Sequence, residues 1–147
     1  MVVKAMRFPE AGRAEIVEIQ RPAPGKGEVL VRVRAAGICH SDVAAYQGKH
    51  NFRRPPVITG HELAGEVTQL GAGVRRVHEG ERVAIEPHVG CGQCVYCCRG
   101  AYHECPEKRF VGVGDWIGAF AEYTLVTESM CHILPEAMDH IFSLYFP

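Results

Sequence analysis

Four of the five cysteines within residues 91–105 limit what this chain can fold into more than any other feature of its sequence. They are Cys91, Cys94, Cys97 and Cys105. Four thiolates on one short loop can surround a single small cation, and an all-thiolate zinc site has no open position for water or substrate, so it is structural. Gly92 and Gly100 allow tight bends around such an ion. The spacing predicts a structural zinc loop, with redox disulfides or unligated thiols as the alternative.

The expected redox environment favours the metal. Residues 1–7 carry neither the apolar stretch nor the small-residue cleavage site of a secretion signal, so we expect a cytoplasmic location. In that reducing compartment clustered cysteines bind metal more often than they form disulfides, and an odd total of seven cysteines cannot pair completely. Cys98 is adjacent to Cys97 and cannot easily face the same ion, so we interpret it as a packing thiol. Cys131 lies in an apolar segment and is interpreted as a core residue.

Length and charge restrict the classes of partner. A chain of 147 residues is long enough for one domain with a hydrophobic core. Its net charge of -1 provides no positive field for a polyanion, so we expect no nucleic-acid partner. No stretch approaches the roughly 20 apolar residues of a membrane span, so we expect no membrane partner either.

Alternating apolar and polar residues predict a mainly β fold. Residues 28–34 carry the clearest pattern, with three valines on one face. Residues 40–47 favour a short helix, which Ser41 or Asp42 would cap and Gly48 would end. The other predicted strands cover residues 2–8, 14–20, 61–70, 81–86, 118–127 and 131–134. We expect the first two of these to form a hairpin.

A second set of metal-binding residue types lies apart from the cysteine loop. Cys39 follows the strand predicted at 28–34, and His61 and Glu62 lie at the start of another predicted strand. A thiolate together with an imidazole is the ligand mixture of a catalytic zinc that keeps one position open. Asp42 could accept the second ring N–H of His61 and so fix its tautomer. Each residue alone would more often be structural, so the functional interpretation depends on the combination.

Three motifs, taken together, resemble those of one enzyme family. They are Gly-Ile-Cys-His-Ser-Asp at 37–42, Gly-His-Glu-Leu-Ala-Gly-Glu-Val at 60–67, and the four-cysteine loop. In this order and spacing they resemble the zinc-dependent medium-chain alcohol and polyol dehydrogenases, over residues 1–139. The resemblance implies a mainly β fold, namely a GroES-like, partly open β-barrel with short helices and a four-cysteine zinc loop.

The resemblance also implies roles for individual residues. A catalytic zinc would be bound by Cys39 and His61, with Glu62 as a third ligand or a near neighbour, and the loop cysteines would bind a structural zinc. Ser41 would be the hydroxyl of the proton relay, and His40 would contact the pyrophosphate of the cofactor. The implied reaction is reversible hydride transfer from an alcohol or polyol to NAD or NADP, with zinc as the Lewis acid.

Nothing in the sequence predicts a site for the nicotinamide dinucleotide. The Gly-x-Gly runs at 71–73 and 112–114 lack the third glycine and the βαβ context of such a site, so both are predicted turns. In the family the nucleotide-binding domain follows the GroES-like part, and we expect it to begin at the apolar tail 140–147. The acidic fourth ligand of some members is missing, because Phe146 occupies its place. We therefore expect a retained structural zinc and a weakly held catalytic zinc.

Three functional classes remain open on these grounds. The first is the catalytic domain of a zinc-dependent dehydrogenase, which would take a small alcohol or polyol and would be inactive alone. The second is a non-catalytic, zinc-stabilised β-domain that acts as a subunit or interaction module through its apolar tail, for instance in a homo-oligomer. The third is a redox or metal sensor, which would release zinc from the cysteine loop on mild oxidation.

Overall fold

The protein is described here by a computed structural model that covers residues 1–145. Its strands are β1 (Val2–Arg7), β2 (Glu15–Gln20), β3 (Glu28–Ala36), β4 (Leu63–Leu70), β5 (Arg82–Ile85), β6 (His88–Val89), β7 (Arg109–Phe110), β8 (Tyr123–Thr127) and β9 (Cys131–Ile133). Its α-helices are α1 (His40–Tyr46) and α2 (Val95–Cys98), and short 3₁₀ helices cover Tyr102–Glu104, Glu128–Met130 and Phe142–Tyr145. The predicted mainly β fold with short helices is confirmed.

The strands form three antiparallel sheets. β1 and β2 make the predicted hairpin, and β6 pairs with β7 at the base of the cysteine loop. The largest sheet has five strands in the order β8-β3-β4-β5-β9. Within the described residues this sheet does not close on itself, because β8 and β9 are its free edges. The partly open character implied by the family resemblance therefore takes the form of an open, five-stranded sheet.

The main core packs around β3, at the centre of that sheet. Val29, Leu30 and Val31 are all completely buried, so both faces of the strand are covered at this end. Each such side chain contributes roughly 1.5–3 kcal/mol by leaving water. The strand then becomes half-exposed towards Ala36, where the chain leaves the sheet for α1. The core thus fixes the direction in which residues 37–42 emerge.

The predicted helix exists, but its N-terminal cap differs from the prediction. Cys39, and not Ser41 or Asp42, is the N-cap residue. Asp42 lies three positions into the helix, and its side chain accepts a hydrogen bond from the backbone N–H of Cys39 at 3.0 Å. Asp42 therefore does cap the first turn, as predicted, but from the third helical position and not as the N-cap residue. Gly48 follows the helix with a φ of 71°, as expected for a glycine that ends it.

The C-terminal segment is partly packed against the body of the protein. Ser143 is buried, whereas Ile141 is 64% exposed. Phe146, which the family resemblance places at the position of an acidic ligand, lies outside the described residues. None of the helices in residues 1–145 is long and apolar enough to cross a bilayer.

Candidate metal centres

The four cysteines of the loop converge on one point. The Sγ atoms of Cys91, Cys94, Cys97 and Cys105 all lie within 4.8 Å of one another. Cys105 is buried and the other three are half-buried. The β6–β7 pair, in which His88 lies opposite Phe110, joins the two ends of the loop. We call this arrangement the sulfur centre.

Backbone N–H groups of the same loop point at its sulfur atoms. The amide of Cys94 donates to Cys91 Sγ at 3.4 Å, and the amide of Cys97 donates to Cys94 Sγ at 3.5 Å, where Cys94 is the N-cap of α2. The amide of Cys91 donates to Cys105 Sγ at 3.3 Å. A side chain at Gly90 would place its Cβ 2.6 Å from Cys97 Sγ, so the close packing of the loop requires glycine there. These contacts suit thiolates better than neutral thiols.

The thiols of the sulfur centre cannot all ionise without a positive charge. The amides of Gln93 and Cys94 lower the pKa of Cys91 to about 7, whereas partial removal from water raises the pKa of Cys97 to about 12. Opposite shifts of neighbouring thiols indicate that one thiolate disfavours the next. A divalent cation removes this conflict, and four sulfur ligands are the donor set of a structural zinc. The residues therefore fit the ion that their spacing predicts.

The other two cysteines near these sheets lie outside the sulfur centre. Cys98 is exposed, and its Sγ lies 3.6 Å from the carbonyl oxygen of Gln93. Cys131 is buried in the core, where burial raises its pKa to about 12. A thiol that is buried in apolar surroundings is unreactive. The core role predicted for Cys131 is confirmed, whereas the packing role predicted for Cys98 is wrong, because its side chain is exposed to solvent.

A second centre combines three different ligand types. One ligand atom each from Cys39, His61 and Glu62 lies within 4.8 Å of the others. Antiparallel pairing of β3 with β4 brings the two segments together, and the amide of Gly37 donates to the carbonyl oxygen of Glu62 at 2.8 Å. A Cβ at Gly37 would lie 2.2 Å from Glu62 Oε2, so glycine makes room for this carboxylate. We call this arrangement the mixed centre.

Asp42 ties the two segments of the mixed centre to each other. It is 2% exposed and accepts hydrogen bonds from the hydroxyl of Thr59 at 2.7 Å, the amide of Gly60 at 3.2 Å and the amide of Cys39 at 3.0 Å. Burial raises the pKa of Asp42, but the nearby His61 ring and the hydrogen bonds from Thr59 and Cys39 outweigh it and lower the pKa to about 2. The carboxylate therefore holds the Cys39 and His61 segments in place without any metal.

The predicted hydrogen bond between His61 and Asp42 is not formed. His61 Nδ1 lies 3.8 Å from Asp42 Oδ1, which is beyond hydrogen-bond distance, and this buried nitrogen has no partner among residues 1–145. Buried polar atoms without partners are exceptional and need an explanation. A metal ion at the mixed centre, or a small shift of the ring, would give this imidazole a defined tautomer.

Two more predicted site residues lie on the first turn of α1. His40 is exposed at the first helical position, and Ser41 is half-buried. The Ser41 Oγ accepts a hydrogen bond from Arg53 Nη1 at 2.6 Å. Arg53 was not selected from the sequence, because an arginine beside Arg54 in a polar loop has the pattern of a surface residue. No signal in the sequence distinguishes the buried arginine from its exposed neighbour.

A cavity opens on the mixed centre. Its volume is ≈ 440 Å³, and His61, Glu62, Glu86, Tyr102 and Leu144 contribute to its wall. Three ligand groups beside an open space form the arrangement of a catalytic zinc, whereas the sulfur centre offers four ligands of one type. The donor set of the mixed centre therefore fits a zinc ion with room for a further ligand.

Comparison with known proteins matches the chain to one family model and to several relatives. Residues 25–136 match the model described as the alcohol dehydrogenase GroES-like domain. The chain is 46% identical over 129 residues to L-threonine 3-dehydrogenase of Pyrococcus furiosus, a match that covers 86% of this chain and 36% of the relative. It is 39% identical over 133 residues to an NAD-dependent alcohol dehydrogenase of Sulfurisphaera tokodaii, which covers 84% and 38%.

Solved structures show the same likeness. A cobalt- and zinc-bound thermostable alcohol dehydrogenase from Pyrobaculum aerophilum superposes with a TM-score of 0.90 at 30% identity. The superposition covers 100% of this chain and 45% of that structure. The chain thus spans less than half the length of the relatives that it matches.

Proposed function

Because the chain belongs to the zinc-dependent medium-chain alcohol dehydrogenase family, we propose that it forms the zinc-binding catalytic part of an NAD(P)-dependent alcohol or polyol dehydrogenase. One observation supports this most strongly. A thiol, an imidazole and a carboxylate lie within 4.8 Å of one another beside a cavity, in the same chain as a separate four-sulfur centre. Three ligand groups beside a cavity suit a reactive zinc, and four sulfur ligands suit a structural zinc.

The residues around the mixed centre have distinct parts in the proposed reaction. Zinc held by Cys39, His61 and Glu62 would supply Lewis acidity towards the substrate oxygen. The alcohol would lose a hydride from carbon to the nicotinamide ring and its hydroxyl proton to Ser41 Oγ, which would pass its own proton towards solvent. The products are a carbonyl compound, NAD(P)H and one proton. Asp42 would act by keeping Cys39 and His61 in register.

The nicotinamide dinucleotide has to be bound largely outside residues 1–139. His40 is exposed at the start of α1, where its imidazole can contact a pyrophosphate. The two Gly-x-Gly runs form turns with glycine φ values of 88° at Gly73 and 74° at Gly112, and neither opens a helix. We propose that residues 1–139 form the catalytic part and that 140–147 lead towards a nucleotide-binding part. The chain alone should therefore not oxidise alcohols.

A metal count tests the proposed function. At saturating zinc, the purified chain should bind two zinc ions per chain by mass spectrometry under native conditions, the second more weakly than the first. Cys39→Ala should contain one, because it removes a ligand of the mixed centre alone. Cys131→Ala is the matched control, since it removes a cysteine that belongs to neither centre, and it should keep both ions. An unmutated chain that binds one zinc, or a Cys39→Ala chain that binds two, would contradict the proposal.

A second candidate function rests on the C-terminal segment. Ile141, in the apolar C-terminal segment, is 64% exposed. A non-catalytic subunit that forms a homo-oligomer would bury this residue. Light scattering after gel filtration measures the mass directly. A stable dimer that Ile141→Ser converts to a monomer would favour this second function, and a monomer in both cases would exclude it.

A further inference from the structure

Arg53 carries a buried positive charge that has no acidic partner at contact distance. The residue is 4% exposed. Among residues 1–145, no carboxylate oxygen forms an ion pair with its guanidinium group, and its Nε is buried without a hydrogen-bond partner. Arginine is almost never fully buried unless it is paired, so this position requires a reason.

The surroundings of Arg53 place it beside the mixed centre. Burial lowers its pKa, while the charges of Asp42 and Cys39 act in the opposite direction. Asp42 is already satisfied by Thr59, Gly60 and Cys39, so it does not take a hydrogen bond from the guanidinium. Within the part of the chain that the structure describes, the guanidinium of Arg53 donates to one side chain, the Ser41 hydroxyl, at 2.6 Å from Nη1.

The loop that carries Arg53 holds the residue in a fixed position. The Nδ1 atom of His50 accepts a hydrogen bond from the amide of Arg53 at 3.0 Å. Arg54, the next residue, is exposed, and its Nε donates to the carbonyl oxygen of Asn51 at 3.0 Å. The two adjacent arginines therefore have opposite environments. The turn directs the first towards Ser41 and the second towards water.

We propose that Arg53 is a positioning residue that orients the Ser41 hydroxyl for proton transfer at the mixed centre. This inference rests on the proposed function. A serine hydroxyl has one hydrogen to donate and two lone pairs that accept. Arg53 occupies one lone pair, which leaves one to receive the substrate proton while the hydroxyl hydrogen is passed on. Without the guanidinium, the Ser41 hydroxyl loses this partner and its side chain is free to rotate.

Binding of trifluoroethanol to the zinc-loaded chain tests this role without any turnover. The affinity is measured by ¹⁹F NMR titration, with Cys39→Ala as the blank for binding away from the mixed centre. Ser41→Ala and Arg53→Met should each weaken binding about tenfold, the worth of one hydrogen bond near a charged group. Because Arg53 acts through Ser41, the double variant should bind no more weakly than Ser41→Ala. Arg53→Lys should recover most of the affinity, and Arg54→Met should bind like the unmutated chain.

Several outcomes contradict the proposal. Equal affinity of Arg53→Met and the unmutated chain would overturn it, and so would a further loss when Arg53→Met is added to Ser41→Ala, because a merely structural arginine acts independently of Ser41. If Arg53→Met does not fold, NMR spectra of the metal-free unmutated chain and of metal-free Ser41→Ala are compared instead. The ¹H–¹⁵N signal of the Arg53 side chain should differ between the two, and an unshifted signal would overturn the contact. Equal binding to Cys39→Ala and the unmutated chain would instead contradict the proposed function.

Discussion

The two candidate metal centres are built in opposite ways. The sulfur centre takes all four ligands from residues 91–105, a loop held to the body by the two-stranded β6–β7 pair and with a single buried cysteine. The mixed centre takes its ligands from two segments that are distant in sequence and fixed by β3, β4 and the buried Asp42. The sulfur centre therefore has little packed structure besides its ligands, whereas the mixed centre lies between segments that the sheet and Asp42 already hold.

This difference indicates what a metal ion contributes at each centre. A loop with few apolar contacts gains its folded structure together with the ion, because binding free energy becomes folding free energy. A site that the sheet and Asp42 already hold gains little stability from the ion and keeps a position free for chemistry. We therefore expect metal loss to unfold the sulfur centre and to leave the mixed centre in place. The following predictions test this contrast, from the largest effect to the smallest.

Removal of one ligand from the sulfur centre should have the largest effect. Cys97→Ser should lower the free energy of unfolding by at least about 3 kcal/mol, which corresponds to a fall of roughly 10 °C in the melting temperature. Calorimetry of the zinc-loaded chain measures both. Cys98→Ser is the matched control, because Cys98 is adjacent but exposed and outside the centre, and it should change stability by less than about 0.5 kcal/mol. Similar melting temperatures for the two variants would show that the loop does not depend on its metal.

Loss of the Asp42 charge should have an intermediate effect, with or without metal. Asp42→Asn leaves the donors on Thr59, Gly60 and Cys39 with a weaker acceptor, so we expect a loss of about 1–3 kcal/mol in urea unfolding. Asp115→Asn, at an exposed position, should be neutral within about 0.5 kcal/mol. If the two variants were equally stable, the mixed centre would not be held by its buried carboxylate.

In the metal-free chain, the free energy of unfolding should fall at acid pH as Asp42 takes up a proton. The folded-state pKa of Asp42 is about 2, below its usual 3.8, so the charged form is favoured by folding. Its contribution is complete above pH 3.8 and is lost as the pH falls towards 2. Between pH 4 and 2, the stability of the unmutated chain should therefore fall more steeply than that of Asp42→Asn. Parallel pH profiles would contradict the assignment.

The smallest effect is expected for the ligand of the mixed centre. Cys39→Ala should lose the zinc of this centre while the free energy of unfolding changes by less than about 1 kcal/mol, because alanine keeps the backbone amide through which the N-cap residue Cys39 binds Asp42. Chemical unfolding of the zinc-loaded variant measures the change. A loss comparable to that of Cys97→Ser would remove the distinction between the two centres.

The sequence predicted the larger elements and the ligand groups well, for identifiable reasons. Strong alternation marked β1, β2 and β3, and the cysteine spacing marked a loop whose Sγ atoms converge. The short elements α2, β6 and β7 were not predicted, because two to four residues carry no periodicity and form only where the loop closes.

The polar connections of the mixed centre were harder to predict. Asp42 was expected to bind His61, but backbone and hydroxyl donors closer in space take its oxygens instead. The contact between Arg53 and Ser41 joins side chains twelve positions apart across a loop, and local pattern contains no information about it. Such contacts are set by the tertiary packing and not by the residue types alone.

Hydrogen exchange with and without a chelator tests the central claim most directly. The zinc-loaded chain and the same chain after removal of metal are compared by mass spectrometry, peptide by peptide. We predict that amides in residues 91–105 lose their protection when the metal is removed, while those in 37–42 and 59–67 keep theirs. Loss of protection in both regions, or unchanged protection in the cysteine loop, would contradict the account of one centre folded by its metal and one folded before it.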